Sequence, residues 1–124
     1  MKRDEAKKLI DIYGEAWVKQ DPDLILTVFT LDAIYNDPKE PESLGHNGIK
    51  SYWIKKVVGE QKDIKFKLLN LWIDKDEVIA EWDAEFIDTK RNLLIKMREV
   101  GIFTIRDGKF SSLREYYKTI KTPL

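Results

Sequence analysis

The hydrophobic pattern of this chain changes period once, near residue 62, and that switch sets most of what the chain can fold into. Before it, apolar residues recur every three or four positions; after it, they alternate. From Asp4 to about Gln20 the residues Ala6, Leu9, Ile10, Tyr13, Ala16 and Trp17 form one stripe, with Lys7, Lys8, Asp11 and Glu15 on the wet side. That is an amphipathic helix. Asp21-Pro22-Asp23 starts a second one with an aspartate cap, proline at the first helical position and an acid in the first turn. Its inward stripe reads Leu24, Ile25, Val28 and Phe29, and a short strand from Ala33 to Tyr35 follows. Pro38 to Asn47, with two prolines, a glycine and three charged residues, reads as a surface loop. A third helix is expected from Asn47-Gly48 to about Gly59, carrying Ile49, Tyr52, Trp53 and Val57.

Beyond the switch the alternation predicts strands at about 64–74, 77–88, 93–106 and 109–119. They are joined at Asp74-Lys75-Asp76, at Asp88-Thr89-Lys90-Arg91-Asn92 and at Arg106-Asp107-Gly108. Helices followed by an antiparallel meander give an α+β fold, with three helices on one face of a bent, mainly antiparallel sheet. Nothing in the 124 residues suggests a repeat or a linker, so the expectation is one domain, 1–124.

Composition narrows the function. Twenty-two basic residues balance 22 acidic ones without a basic block, which argues against nucleic acid and anionic membrane as partners. No cysteine and a single histidine argue against thiolate chemistry, disulfides and a transition-metal site. The charged start Met1-Lys2-Arg3-Asp4-Glu5 is no secretory core, and no apolar run approaches ~18 residues. The expected location is the cytoplasm.

The alternation also assigns faces. Val78, Ala80, Trp82, Ala84 and Phe86 point inward, and Met97, Glu99 and Gly101 share that face on the next strand. Glu81, Asp83 and Glu85 point outward against Lys96 and Arg98, where cross-strand ion pairs support the sheet. Outward Ile79, Ile87, Leu94, Val100 and Ile102 are many aliphatics for a wetted face, which predicts a homodimer through it. The facing of Glu99 and Glu115 depends on the last turn. A three-residue loop with Gly108 left-handed pairs position 99 with 115 on one face; a two-residue Asp107-Gly108 turn puts the two side chains on opposite faces.

The string Leu31-Asp32-Ala33-Ile34-Tyr35-Asn36-Asp37-Pro38 comes first, then Gly45, Gly48-Ile49 and Tyr52-Trp53. Gly101-Ile102-Phe103, Asp107-Gly108-Lys109 and Arg114-Glu115-Tyr116-Tyr117 follow. Together they resemble the nuclear-transport-factor-2-like superfamily, and within it the SnoaL-like group. The resemblance covers essentially the whole chain. It implies a cone, in which a strongly bent sheet wraps the first helix around an internal pocket, and often a homodimer. By resemblance to ketosteroid isomerases, Tyr13 takes the place of an oxyanion tyrosine and Asp37 that of a base in an Asp-Pro step. The third position, a neutral acid, falls on Gly101, and Glu99 is the nearest carboxyl. By resemblance to limonene-epoxide hydrolases, Tyr35 and Glu115 match two of the working positions, whereas Trp82, Ala84 and Asp37 depart from the other three.

Together these readings predict a pocket lined by Tyr13, Trp17, Tyr35, Asp37, Trp53, Trp82, Phe86, Met97, Glu99, Glu115 and Tyr117, taking a hydrophobic small molecule. Asp37 is expected to face Tyr13 in an apolar cup of Trp53, Trp82 and Phe86, shut away without other partners. The chemistry expected is metal- and cofactor-free acid/base work on a carbonyl compound, as an isomerase, cyclase or lyase. Asp37 would take a proton, Tyr13 would stabilise the enolate oxygen, and Glu99 or Glu115 would return a proton. The alternative is a ligand-binding or dimerisation module without turnover. His46 is expected to be a solvated loop residue.

Overall fold

The computed structural model describes residues 1–124. Helix α1 spans Arg3–Val18, α2 Pro22–Leu26 and α3 Gly45–Tyr52, the last running on into a π-helical turn, Trp53–Val58. The strands are β1 Phe29–Asn36, β2 Ser43–Leu44, β3 Gln61–Asp74, β4 Glu77–Asp88, β5 Leu93–Arg106 and β6 Lys109–Pro123. They form one six-stranded sheet in the order β2-β1-β6-β5-β4-β3. The sheet is mixed: β1 lies parallel to β6, and every other neighbour is antiparallel. It is curled but not closed, and the three helices pack on its inner face. No helix is long and apolar enough to cross a membrane.

Helix α1 buries Ala6, Ile10, Tyr13, Ala16 and Trp17 of the predicted stripe together with Gly14, and leaves Leu9 half-buried. Gly14 lies where the Phe66 ring of β3 presses on the helix, and an added Cβ would fall inside that ring's van der Waals envelope. Glycine weakens a helix interior, so its use here reflects the close approach of helix and sheet. The Asp21 carboxylate caps α2, accepting from the backbone N–H of Asp23 and of Leu24, each at 3.0 Å.

Three local expectations are corrected. Helix α2 stops at Leu26, so Val28 and Phe29 are not part of a helical stripe. The Phe110 N–H donates to the Val28 carbonyl at 2.8 Å, and Phe29 opens β1 paired with Phe110. Their rings pack with centroids 5.6 Å apart. Tertiary strand pairing outweighed the local helical spacing. Within the segment expected to be loop, Ser43 and Leu44 form a short edge strand against Tyr35 and Ile34. His46 lies within α3, its Nε2 2.9 Å from the Phe29 carbonyl oxygen, as a structural tie rather than a solvated loop residue.

The last hairpin resolves the facing of the two glutamates in a way neither alternative anticipated. Arg106 pairs with Lys109, so the turn is the two-residue Asp107-Gly108, with φ of 55° and 74°. Positive φ at both central residues is the type I′ signature that matches strand twist. A bulge then intervenes: Ile105 pairs with Phe110 but Thr104 with Ser112, leaving Ser111 extra. One extra residue flips every later side chain to the other face. Gly101 therefore pairs with Glu115 and Glu99 with Tyr117, all on the inner face. The two acids are diagonal neighbours rather than direct opposites.

Candidate functional site

Between α1, the π-helical turn and the inner face of β4–β6 lies a cavity of about 90 Å³. Of the residues expected to line it, Tyr13, Trp17, Tyr35, Asp37, Trp53, Phe86, Met97, Glu99, Glu115 and Tyr117 do so. Trp82 does not; it is fully buried beneath, with its ring over Gly101, where an added Cβ would sit 2.7 Å from Trp82 Cη2. The position that the isomerase resemblance gives to a second oxyanion donor is thus a glycine covered by an indole. Tyr52, Val57 and Gln61 also line the cavity and were not expected to. In an α-helix Tyr52 and Trp53 would point about 100° apart, and the π-helical turn that begins at Trp53 widens the backbone where both face the same space. No residue pattern in the sequence announces that turn. Gln61 accepts from the Trp17 indole at 2.8 Å and holds the far end of α1 to β3.

Two hydrogen-bonded clusters meet at this cavity. In the deeper one the Tyr13 hydroxyl donates to Glu115 Oε2 at 3.2 Å and lies 3.2 Å from the Tyr35 hydroxyl. Burial raises the Glu115 pKa to about 8, and the Asp37 charge pushes the same way, while hydrogen bonds from Tyr35 and Tyr13 offset part of the rise. The carboxyl is therefore mostly protonated at neutral pH. Burial, and then the nearby Glu115, hold the Tyr13 and Tyr35 phenols well above their ordinary pKa. Nearer the mouth, Asp37 accepts from the Tyr52 hydroxyl at 2.6 Å, the Tyr117 hydroxyl at 2.8 Å and the Lys39 backbone N–H at 3.0 Å. Burial, followed by the bond to Asp37, raises the Tyr117 pKa.

This corrects the expected pairing. Asp37 is half-buried and carries three donors, and the partners of Tyr13 are Glu115 and Tyr35, not Asp37. Both residues line the cavity from different clusters. The bond from Lys39 makes Asp37 a turn residue as well, as an aspartate before proline can be.

The third acid behaves differently. Glu99 is 2% exposed, and its Oε2 has no hydrogen-bond partner among the protein's groups; the buried indole N–H groups of Trp53 and Trp82 are likewise unpartnered. Outside the cavity lies a vestibule of about 310 Å³ that shares Asp37, Tyr52, Gln61, Phe86, Met97 and Tyr117 with it. Its rim charges are largely paired: Lys56 with Glu40 at 2.6 Å, Arg91 with Asp88 at 3.0 Å. A wider groove of about 700 Å³ lies over the outer face at Asp83, Glu85, Lys96 and Arg98. Its acids are already paired with bases, unlike Glu99 and Glu115 of the inner cavity. No three His, Asp or Glu side chains converge closely enough to hold a metal ion.

The geometry agrees with the comparisons. The family model of the SnoaL-like domain matches residues 10–113. The chain belongs to the SnoaL-like family. Among solved structures it is similar to a hypothetical protein with a ketosteroid isomerase-like fold from Catenulispora acidiphila DSM 44928, in complex with trimethylamine. The two share 15% identity over 89% of this chain and 85% of that one, with a TM-score of 0.80. It is similar to an LEH-like epoxide hydrolase of M. tuberculosis, at 18% identity over 92% and 83% and a TM-score of 0.76. It is also similar to a computationally designed 17-OHP binder, at 13% identity over 94% and 96% and a TM-score of 0.78. At these identities the likeness to solved structures is one of fold. No curated protein matches the sequence. The SnoaL-like assignment fits the inward alternation of β4–β6 and the cavity under α1.

Proposed function

We propose that this SnoaL-like protein binds a small organic molecule in the inner cavity and moves a proton on it, with Asp37 as base and the Tyr13–Tyr35–Glu115 cluster as donor. The observation that carries the reading is the neutral, buried Glu115 facing the same cavity as an Asp37 already loaded with donors. Two carboxyls whose surroundings differ this much are suited to opposite roles. A carboxylate offers about four acceptor directions; three are used at Asp37, leaving roughly one for a substrate proton. In the deep cluster three O–H groups share two internal hydrogen bonds, so one hydrogen is free for a ligand oxygen. A carbonyl compound seated between the clusters would lose a proton to Asp37 while its oxygen gains charge against the hydrogen that the Tyr13–Tyr35–Glu115 cluster leaves free. The product classes that follow are isomerisation, cyclisation or elimination. The neighbour in complex with trimethylamine, the designed 17-OHP binder and the epoxide hydrolase support use of this fold for small molecules.

The test is hydrogen–deuterium exchange next to the carbonyl of a panel of small ketones in D2O. The expected outcome is exchange with the wild-type protein and at least ~100-fold less with Asp37→Asn, the usual low end for losing a general base. Absence of exchange across the panel makes the chain a binding module.

We further infer that two copies associate through the outer face. Trp72 and Tyr116 are each about half exposed there, at 50% and 54%, beside Ile79, Val100 and Ile102. The face carries both signs of charge, which allows one patch to meet itself across a two-fold axis. A species near 14.6 kDa in sedimentation at micromolar concentration would overturn this.

A further inference from the structure

The inner cavity combines three features that together suit a particular occupant. It is lined by the acids Asp37, Glu99 and Glu115 and by no lysine, arginine or histidine. It is walled by aromatic rings, with Tyr13, Tyr35 and Trp53 packed at centroid distances near 6 Å, namely 6.2 Å for Tyr13–Trp53 and 6.2 Å for Tyr35–Trp53. Glu99 is nine-tenths buried and more, lines this space, and has an oxygen that no protein group satisfies. Asp37 and Glu115 have tyrosine partners; Glu99 has none.

We propose that the cavity is the seat of a small organic cation, a methylated ammonium head group, held by the Glu99 carboxylate and the faces of the surrounding aromatic rings. This deepens the reading above, in that it rests on the ligand entering the same cavity, and it adds the chemical class of the part that goes deepest. A buried polar oxygen without a partner is unfavourable, so Glu99 calls for a donor or a positive charge beside it. Ring faces carry the negative part of the aromatic quadrupole and attract ammonium groups when water is excluded. A metal ion is the poorer occupant because the three acids do not converge on one point. Size sets the class further. A cavity of ~150 Å³ holds the six heavy atoms of benzene. By proportion about 90 Å³ holds roughly four, which is trimethylammonium rather than a large amine. The remainder of a longer ligand would run past Asp37 into the vestibule, with its acidic carbon beside that carboxylate.

The experiment uses the full chain and three probes: trimethylammonium chloride, tetramethylammonium chloride and neutral tert-butanol, which has the size and shape without the charge. Binding is followed by calorimetry and by tryptophan fluorescence, since Trp17 and Trp53 line the site. The expected result is saturable binding of at least one ammonium probe, at least tenfold tighter than tert-butanol. Glu99→Gln keeps the shape but removes the charge, and should weaken ammonium binding at least tenfold while leaving tert-butanol unchanged. Its fold is checked by near-ultraviolet circular dichroism, and Trp53→Leu, which removes one ring face, gives a second route to the same loss. Equal binding of charged and neutral probes, no binding of either ammonium ion, or full ammonium affinity in Glu99→Gln each overturns the proposal. The ketone exchange assay separates the two readings. Exchange without ammonium binding removes only the cation, whereas neither exchange nor binding of any probe removes the ligand cavity as well.

Discussion

On the outer face of the sheet Asp83 lies against Arg98 through two hydrogen bonds, at 2.7 and 3.0 Å, and Glu85 lies within 3.4 Å of Lys65 and 3.8 Å of Lys96. On the inner face of the same strands Glu99 has no partner at one oxygen and Glu115 meets only tyrosine hydroxyls. Strand alternation separates the two populations, with the bulge at Ser111 setting the face of Glu115. Their energetics differ in kind. Outer acids are solvated and paired, and their contribution is small and sensitive to salt. Inner acids have given up water without gaining a base, which folding alone does not favour. The proposed ligand accounts for acids placed at such a cost.

The contrast should be largest in the response to pH. The folded protein holds the Glu115 proton to about pH 8, against an ordinary value of 4.5. Between those values the unfolded chain binds fewer protons than the folded one, so stability falls as pH rises through the window. The loss approaches at most roughly 5 kcal/mol above pH 8. Chemical denaturation from pH 4.5 to 9 should show this decline in the wild type, and Glu115→Gln should flatten it. A decline of the same size in the variant would mean that Glu115 is not the group responsible, and the inner face would lose its distinction.

Asp37 comes next, and it divides the inner face itself. Shut away without partners, its carboxylate would be better removed, and Asp37→Asn would stabilise the fold or leave it unchanged. The three donors found on it reverse that expectation. The substitution should destabilise by about 1–2 kcal/mol, as a tyrosine hydroxyl loses its acceptor, alongside the ~100-fold loss of exchange. Parallel denaturation of Asp37→Asn and Glu99→Gln sharpens the point, for the second should leave stability unchanged or raise it. If the two shift in the same direction, the separation of partnered from unpartnered acids fails.

A third effect tests the floor of the cavity rather than its charges. Ala at position 101 would put a Cβ 2.7 Å from both the Phe103 and the Trp82 rings. Overpacking of this kind costs about 1–3 kcal/mol, read as a lower thermal midpoint. No loss would mean that Trp82 moves freely, and that a side chain at 101 can reach the ligand space after all.

These features differ in how far the sequence disclosed them. The helix stripe of α1, the Asp21 cap and the inward set of β4 follow from periodicity and capping, which are local rules. The parallel pairing of β1 with β6 and the early end of α2 depend on Phe29 meeting Phe110, residues 81 positions apart. No local signal carries that. The facing of Glu99 and Glu115 turned on one bulged residue, Ser111, in a strand whose turn chemistry alone gave the wrong parity. The cavity lining was largely legible because inward positions alternate. The hydrogen-bond partners were not, since Tyr13 on α1 and Glu115 on β6 are brought together only by the curl of the sheet. Tyr52 entered through a π-helical turn without a sequence signature.

The smallest expected effect is on the outer face, and it is the one that would break the comparison most directly. Asp83 and Arg98 form a bidentate pair, and the guanidinium beside Asp83 lowers that carboxyl's pKa. Their side chains remain 45% and 59% exposed, so water and salt screen most of the attraction. In a double-mutant cycle, Asp83→Ala and Arg98→Ala should each leave the thermal midpoint near wild type at moderate salt. The coupling between them should disappear at 1 M salt, where the screening length is only ~3 Å. Glu115→Gln, by contrast, should keep its effect in the same buffer, because its surroundings exclude ions. A salt-resistant Asp83–Arg98 coupling would place that pair in a dry environment. The most direct cause would be burial of this face against a second copy, so the cycle is repeated at dilutions that separate a dimer. Coupling that survives at high concentration and fades on dilution would move part of the outer face into an interface, and leave the inner cavity as the place where acids stand without bases.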